Sequence, residues 1–283
     1  MTDIEAAARK EVETALVALG MHPTSLDLVS PLGPRKGVRF AYRVVTADGQ
    51  TVKARHLGTA KDADRLRALR RNLEPAFAPV VDQSGAVLVE EWIDGTPLCE
   101  LESAPWFEPA GALLGRLHRA HPGAGTLPTR PWTESALADL ALLEDAEELA
   151  PTEAAALRDR LHGSDPGAAR VGLVHKDFCE DNIIIDTAGA LRVIDNELLA
   201  VDPLGFDLGR TFHLWPMDDD ARTEFERGYR SAGPAPPDAA DYWRIVAALV
   251  GGRVFLTRSR VRLDETVALL RRFADGNLLE SPQ

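Results

Sequence analysis

Cysteine is scarce in this chain of 283 residues. Cys99 and Cys179 are too few and too far apart in sequence for a disulfide framework or a zinc site. A reducing, cytoplasmic compartment is therefore expected. No run of 18 apolar residues occurs, so no membrane-spanning helix is expected. The first twenty residues lack the charged start, apolar stretch and cleavage site of a signal peptide. They form an amphipathic segment whose polar face mixes both signs and carries no aromatics, a poor membrane anchor. Lysine is also rare: only Lys10, Lys36, Lys53, Lys61 and Lys176 stand among 32 basic residues. Two glycine-rich phosphate signatures, G-x-G-x-x-G and G-x-x-x-x-G-K-[ST], are absent. No internal repeat or low-complexity segment is present.

What is abundant is negative charge. The formal net charge is −12, and it is uneven. Residues 1–93 hold 13 Lys and Arg against 12 Asp and Glu, whereas residues 94–283 hold 19 against 32. Such a surface repels nucleic acid and draws cations, so a cationic small-molecule partner is expected, with no nucleic acid and no membrane. Much of the acidity also serves solubility alone. Hydrophobic content of 45% is enough for sizeable cores.

One stretch organises the rest: residues 171–197, VGLVHKDFCEDNIIIDTAGALRVIDNE. An apolar run, Val171 to Val174, breaks into the polar loop 175–182. Two short apolar runs follow, joined by a turn that contains Gly189, and together they read as a β-hairpin. Asp177, Asn182 and Asp195 stand at the ends of these elements. Phosphoryl transfer uses such a trio. One Asp orients the acceptor hydroxyl, while an Asn and a second Asp hold the metal ions on the nucleotide phosphates. Hard oxygen ligands suit magnesium. A polar turn with solvated carboxylates is the bland alternative, and four residues in register between apolar runs disfavour it.

The spacing H-x-D-x-x-x-x-N, with an Asp after the hairpin, resembles the aminoglycoside phosphotransferase and choline kinase-like family, relatives of protein kinases. The resemblance rests on HKDFCEDNIIID followed by VIDNE, with His175, Asp177, Asn182 and Asp195 in the family's positions. It implies an α+β, bilobal protein kinase-like fold, with a small antiparallel-sheet N-lobe at 1–93 and a larger, mainly helical C-lobe at 94–283. It implies Asp177 as base and Asn182 and Asp195 as magnesium ligands. Lys176 departs from the pattern, where Gly is usual. A cation there could lower the pKa of Asp177 or contact a phosphate.

The chain before that stretch fits the same plan. Apolar spacing predicts a helix from Ile4 to Leu19 and three strands within Leu26 to Arg55. Gly33 and Gly37 mark a loop whose backbone amides could lie over phosphates. Lys53 sits mid-strand, where the resemblance puts the lysine that holds the α- and β-phosphates. A helix from Thr59 to Leu73 would carry its acidic partner, Asp62 or, less well, Asp64; Glu74 falls beyond the helical face. Ala86 to Ile93 reads as the strand that joins the lobes. The resemblance makes the Glu91 carbonyl and the Ile93 amide the partners of adenine. His118 and His121, a turn apart without a third ligand, suggest packing and capping.

Asp207 matches the family's structural Asp, which opens a helix and bonds back to the catalytic loop. Only twelve residues separate it from Asp195, too few for the activation segment and A-P-E signature of a protein kinase. Helices near 220–232, 236–259 and 263–275 close the chain. Their aromatics, Tyr229, Tyr242, Trp243 and Phe255, are expected in the core, with an ammonium site as the lesser alternative. The expected activity is transfer of the γ-phosphate of ATP or GTP to a hydroxyl of a small cationic molecule, such as an aminoglycoside, another antibiotic or an amino alcohol. A nucleotide-binding pseudoenzyme is the rival, and retention of Asp177 argues against it.

Overall fold

The computed structural model describes residues 3–29, 39–71, 73, 76–102, 104–120 and 125–276. The chain runs α1 (Asp3–Ala18), β1 (Pro23–Leu28), β2 (Phe40–Thr46), β3 (Thr51–His56), α2 (Ala60–Leu69), β4 (Val80–Ser84), β5 (Val87–Glu91) and β6 (Gly95–Pro97). Next come α3 (Phe107–Ala120), β7 (Thr126–Pro128), α4 (Arg130–Asp145) and α5 (Pro151–Ser164). Four short strands follow: β8 (Ala168–Val174), β9 (Ile183–Asp186), β10 (Leu191–Val193) and β11 (Ala200–Pro203). The chain ends in α6 (Leu204–Leu214), α7 (Asp219–Ala232), α8 (Ala240–Phe255) and α9 (Arg260–Ala274). No helix among the described residues is long and apolar enough to cross a membrane.

Two compact units emerge: Met1–Thr96 with Ile184–Glu197, and Pro97–Ile183 with Leu198–Gln283. The boundary expected at residue 93 thus falls three residues later. The β9–β10 hairpin also counts with the first unit, which a single cut in the sequence misses.

The first unit is built on an antiparallel sheet in the order β1-β2-β3-β5-β4. Helix α1 buries Ala8, Val12, Ala15 and Leu16, one stripe at helical spacing. That stripe joins Val44, Val52, Ala54, Val87 and Val89 in one apolar cluster. Alternation along β3 therefore turns Lys53 and Arg55 to the opposite face of the sheet. Strand β4 was not expected: its five residues carry no alternation of burial. Helix α2 stops at Leu69 rather than Leu73. The loop containing Gly33 and Gly37, and Glu74, lie outside the described residues.

In the second unit α8 is buried nearly all round and forms the core with residues of α4, α5 and α9. Tyr242 and Trp243 are core residues there, as is Tyr229 of α7. Helices α3 and α7 cross at backbone contact. A methyl at Gly111 would overlap the Phe225 carbonyl, and one at Gly228 would overlap that of Glu108. A sheet in the order β11-β8-β7 delivers the chain to residue 175. Its register sets Ala200 against Val174 and Asp202 against Gly172.

Candidate active site

Within the first unit, Lys53 and Arg55 line a pocket of about 80 Å³ together with Glu90, Glu91, Trp92 and Ile93. Ile184, Val193 and Ile194 supply its apolar wall. The structure thus gathers three of the sequence-expected nucleotide residues, Lys53, Glu91 and Ile93, around one cavity. The Glu91 amide donates to the Pro79 carbonyl at 2.9 Å. The Lys53 ammonium is pushed down to about 7, first by desolvation and next by the Arg55 guanidinium, while Asp195 and Glu197 pull the other way.

Asp62 is not the partner of that lysine. Its carboxylate accepts from the Thr59 hydroxyl at 2.8 Å, and its amide donates to the same oxygen at 3.1 Å, as an N-terminal cap of α2. Asp64 instead accepts from Gln83 Nε2 at 2.7 Å. The reason is the helical face. Ala63, Leu66 and Arg70 are the buried positions, one residue out of phase with the stripe expected through Asp62. The helix end therefore brings a cation inward. Arg70 pairs with the buried Glu90 of β5.

Glu90 also accepts from Arg55 Nε at 2.6 Å. Arg55 then reaches Glu197 at 3.0 Å and Asp195 at 3.6 Å through Nη1. Arg55 is only 3% exposed, so the carboxylates answer a charge that water cannot. Asp195 itself lies in left-handed backbone, φ 59°, a conformation Asp tolerates better than most residues. Its side chain is 45% exposed.

In the second unit, the loop after β8 is hung from one buried carboxylate. Asp207, fully buried, accepts the His175 amide at 2.7 Å and the Lys176 amide at 2.6 Å. His118 of α3 binds the same carboxylate at 3.0 Å and reaches the Tyr229 hydroxyl at 2.9 Å. Burial works to raise the Asp207 pKa, but the His118 and backbone hydrogen bonds outweigh it and hold the carboxyl below the usual range. His118 is thereby a packing and positioning residue; His121 lies outside the described residues.

The loop so held presents Asp177. Asn182 Nδ2 donates to the Asp177 carbonyl at 2.8 Å and to its carboxylate at 3.2 Å. The other Asp177 oxygen stands 3.9 Å from Arg210 Nη2. Arg210 Nη1 also donates to His213 Nδ1 at 3.2 Å. The Lys176 ammonium pairs with Asp202 of β11, and its backbone has φ 68°. The left-handed turn is the physical reason that Gly suits this position.

The sequence reading missed Arg55, Glu197 and Arg210. Arg55 had a signal: any strand that turns Lys53 inward turns Arg55 inward too. Arg210 lies one helical turn past Asp207, and nothing in its local sequence marks it.

Known proteins share this fold. The profile of the phosphotransferase enzyme family (APH) matches residues 33–242. No curated protein matches the chain in sequence. Among solved structures, the macrolide 2'-phosphotransferase MphH from Brachybacterium faecium superimposes with TM-score 0.62 at 17% identity, over 93% of this chain and 97% of that one. Choline kinase from Cryptosporidium parvum Iowa II gives TM-score 0.62 at 12% identity, over 97% and 95%. Spectinomycin phosphotransferase APH(9)-Ia, solved with ADP and spectinomycin, gives 0.61 at 12% identity, over 95% and 96%.

Proposed function

The chain belongs to the phosphotransferase enzyme family, and on that premise we propose that it is a kinase of small molecules using ATP or GTP with magnesium. The observation that carries the proposal is the braced loop: Asp177 fixed by Asn182 and Arg210, the loop itself fixed by buried Asp207. In the proposed reaction the acceptor oxygen bonds to the γ-phosphorus and the bond to the bridging β,γ-oxygen breaks, which releases the nucleoside diphosphate. The hydroxyl proton passes to the Asp177 carboxylate and then to solvent. Little covalent chemistry is left to the protein, so orientation and charge do most of the work.

Lys53 and Arg55 are the cations that would meet the phosphates, and Glu91 and Ile93 border the place for the base. The donors available for magnesium are the Asn182 amide oxygen and the Asp195 carboxylate, hard oxygens of the kind this ion takes in small number. Bound magnesium would supply neutralisation of phosphate charge. The related structures carry names that span a macrolide, choline and spectinomycin, and a hydroxyl-bearing acceptor of that general kind is proposed here. Net charge alone, through the acidic surplus of residues 94–283, would favour a cationic one.

The test is incubation with ATP or GTP and magnesium against hydroxylated amines, antibiotics and hydroxy acids, read by mass spectrometry for a gained phosphoryl group. An Asp177→Asn variant that transfers as fast as the parent sinks the proposal.

A further inference from the structure

The charge of the whole second half and the charge of one of its cavities have opposite signs. Helices α6, α8 and α9 enclose a pocket of about 270 Å³. Three guanidiniums line it, Arg244, Arg262 and Arg272, against a single carboxylate, Glu265. Among the described residues that carboxylate pairs with Arg262, at 3.8 Å. Arg272 Nε is buried without a hydrogen-bond partner. Arg244 lies over the Phe273 ring at 5.3 Å. Its guanidinium is pushed down to about 10, first by desolvation and then by the Arg222 charge, while Asp241 and Glu226 pull the other way and Arg272 adds to the lowering.

The histidine of the pocket adds no negative or positive charge. His213 accepts from Arg210 through Nδ1 at 3.2 Å and so donates through Nε2 to Thr266 Oγ1 at 3.0 Å. Desolvation first, then Arg210 and Arg262, push its pKa down to about 3, so it is neutral at physiological pH.

The pocket is also linked to the transfer loop. Arg210 links its His213 to Asp177. The Arg262 charge is felt by Glu180, three residues past Asp177. Like charges gathered in a partly dry cavity are costly until an anion joins them. Phe255 and Phe273 give the same cavity apolar walls.

We propose that this pocket is the acceptor site, and that it selects a small hydroxylated molecule bearing an oxyanion, carboxylate or phosphate, beside an apolar portion. The inference rests on the kinase reading above and replaces its cationic acceptor by an anionic one. The volume is slightly under the roughly 300–1,000 Å³ of pockets for drug-sized ligands, so the occupant is compact.

A matched series tests it on the whole protein with saturating ADP and magnesium. Mandelate, 1-phenyl-1,2-ethanediol and 2-amino-1-phenylethanol share a phenyl carbinol and differ in charge; phenyl phosphate separates phosphate from carboxylate. In ligand-observed NMR titrations, at least one of the two anions should bind about tenfold or more tighter than the diol, the scale of one charge-assisted hydrogen bond, and the amine should bind weakest. Arg244→Gln and Arg272→Gln, each checked by thermal melting, should each remove most of that preference and leave the diol unchanged. Amine binding equal to or better than both anions overturns the proposal, as does absence of anion binding or an anion preference untouched in folded variants. The charge series on the parent protein decides even if a variant misfolds. Anion preference without phosphoryl transfer to any acceptor would defeat the kinase reading and leave the pocket's selectivity standing. Transfer to an amine with no anion binding would do the reverse.

Discussion

Lys176 shows how one backbone angle explains a departure from a pattern. A residue with a Cβ in left-handed backbone costs roughly 1–2 kcal/mol, and φ here is 68°. The Asp202 ion pair offsets part of that, since both side chains are largely buried. Removing the pair while keeping the Cβ should therefore hurt more than removing both. Lys176→Gly should be more stable than Lys176→Ala by about 1 kcal/mol, after the greater freedom of unfolded glycine is allowed for. Denaturant midpoints of the two variants check this, and equal midpoints would mean the turn is unstrained. Lys53 gives a second residue-scale consequence. Its ammonium sits near 7 without nucleotide. Bound phosphates favour the charged form, so at pH 8 nucleotide binding should take up a proton, and at pH 6 almost none. Calorimetry in buffers of different ionisation enthalpy reads the proton directly; no uptake at pH 8 would remove Lys53 from the phosphates. The same shift ties to stability. The unfolded chain holds this proton up to about 10.4, so between about 7 and 10 the unfolded state binds more protons, and stability gains from this group as pH rises.

At the scale of elements, the crossing of α3 and α7 does mechanical work for the loop. Gly111 and Gly228 allow backbone contact, and the same two helices bring His118 and Tyr229 to Asp207. Gly111→Ala should force the helices apart, at a cost of about 1–3 kcal/mol typical of overpacking. It should also lower turnover by loosening the Asp207 bonds to residues 175 and 176. A melting scan and steady-state kinetics check both, and unchanged turnover in a destabilised variant would confine the role to packing. Most elements were legible from apolar pattern, because α1 and α9 each bury one stripe, α8 is apolar over most of its length and β5 is a short apolar run. The illegible parts have physical reasons. Strand β4 is short and half-exposed along its length. Helix α2 has its apolar positions so sparse that a phase error of one residue pointed Asp62 inward in place of Arg70. The transfer loop was legible because its chemistry is carried by sequence neighbours. Its braces, His118 and Arg210, act from distant helices and leave no local trace.

For the whole molecule, the net charge and the charge lining one pocket differ in sign. A value of −12 averages over the surface, while Arg244, Arg262 and Arg272 lie about thirty residues or less apart and meet only through the packing of α8 on α9. The sequence did divide the labour between units in a way that can be tested. The first unit carries Lys53, Arg55, Asp195 and the pocket proposed for the base. The second carries Asp177, which meets Asn182 and Arg210. Binding and transfer should therefore separate on mutation. Asp177→Asn keeps the shape of the side chain and removes its charge. A positioned general base is typically worth about 10²–10⁴ in rate, and a loose transition state allows a residual rate through orientation. Turnover should fall by at least about 10²-fold, with nucleotide affinity by calorimetry nearly unchanged. If affinity collapses together with kcat, Asp177 is holding metal or structure rather than the acceptor. If neither moves, the transfer chemistry lies outside the loop that Asp207 holds.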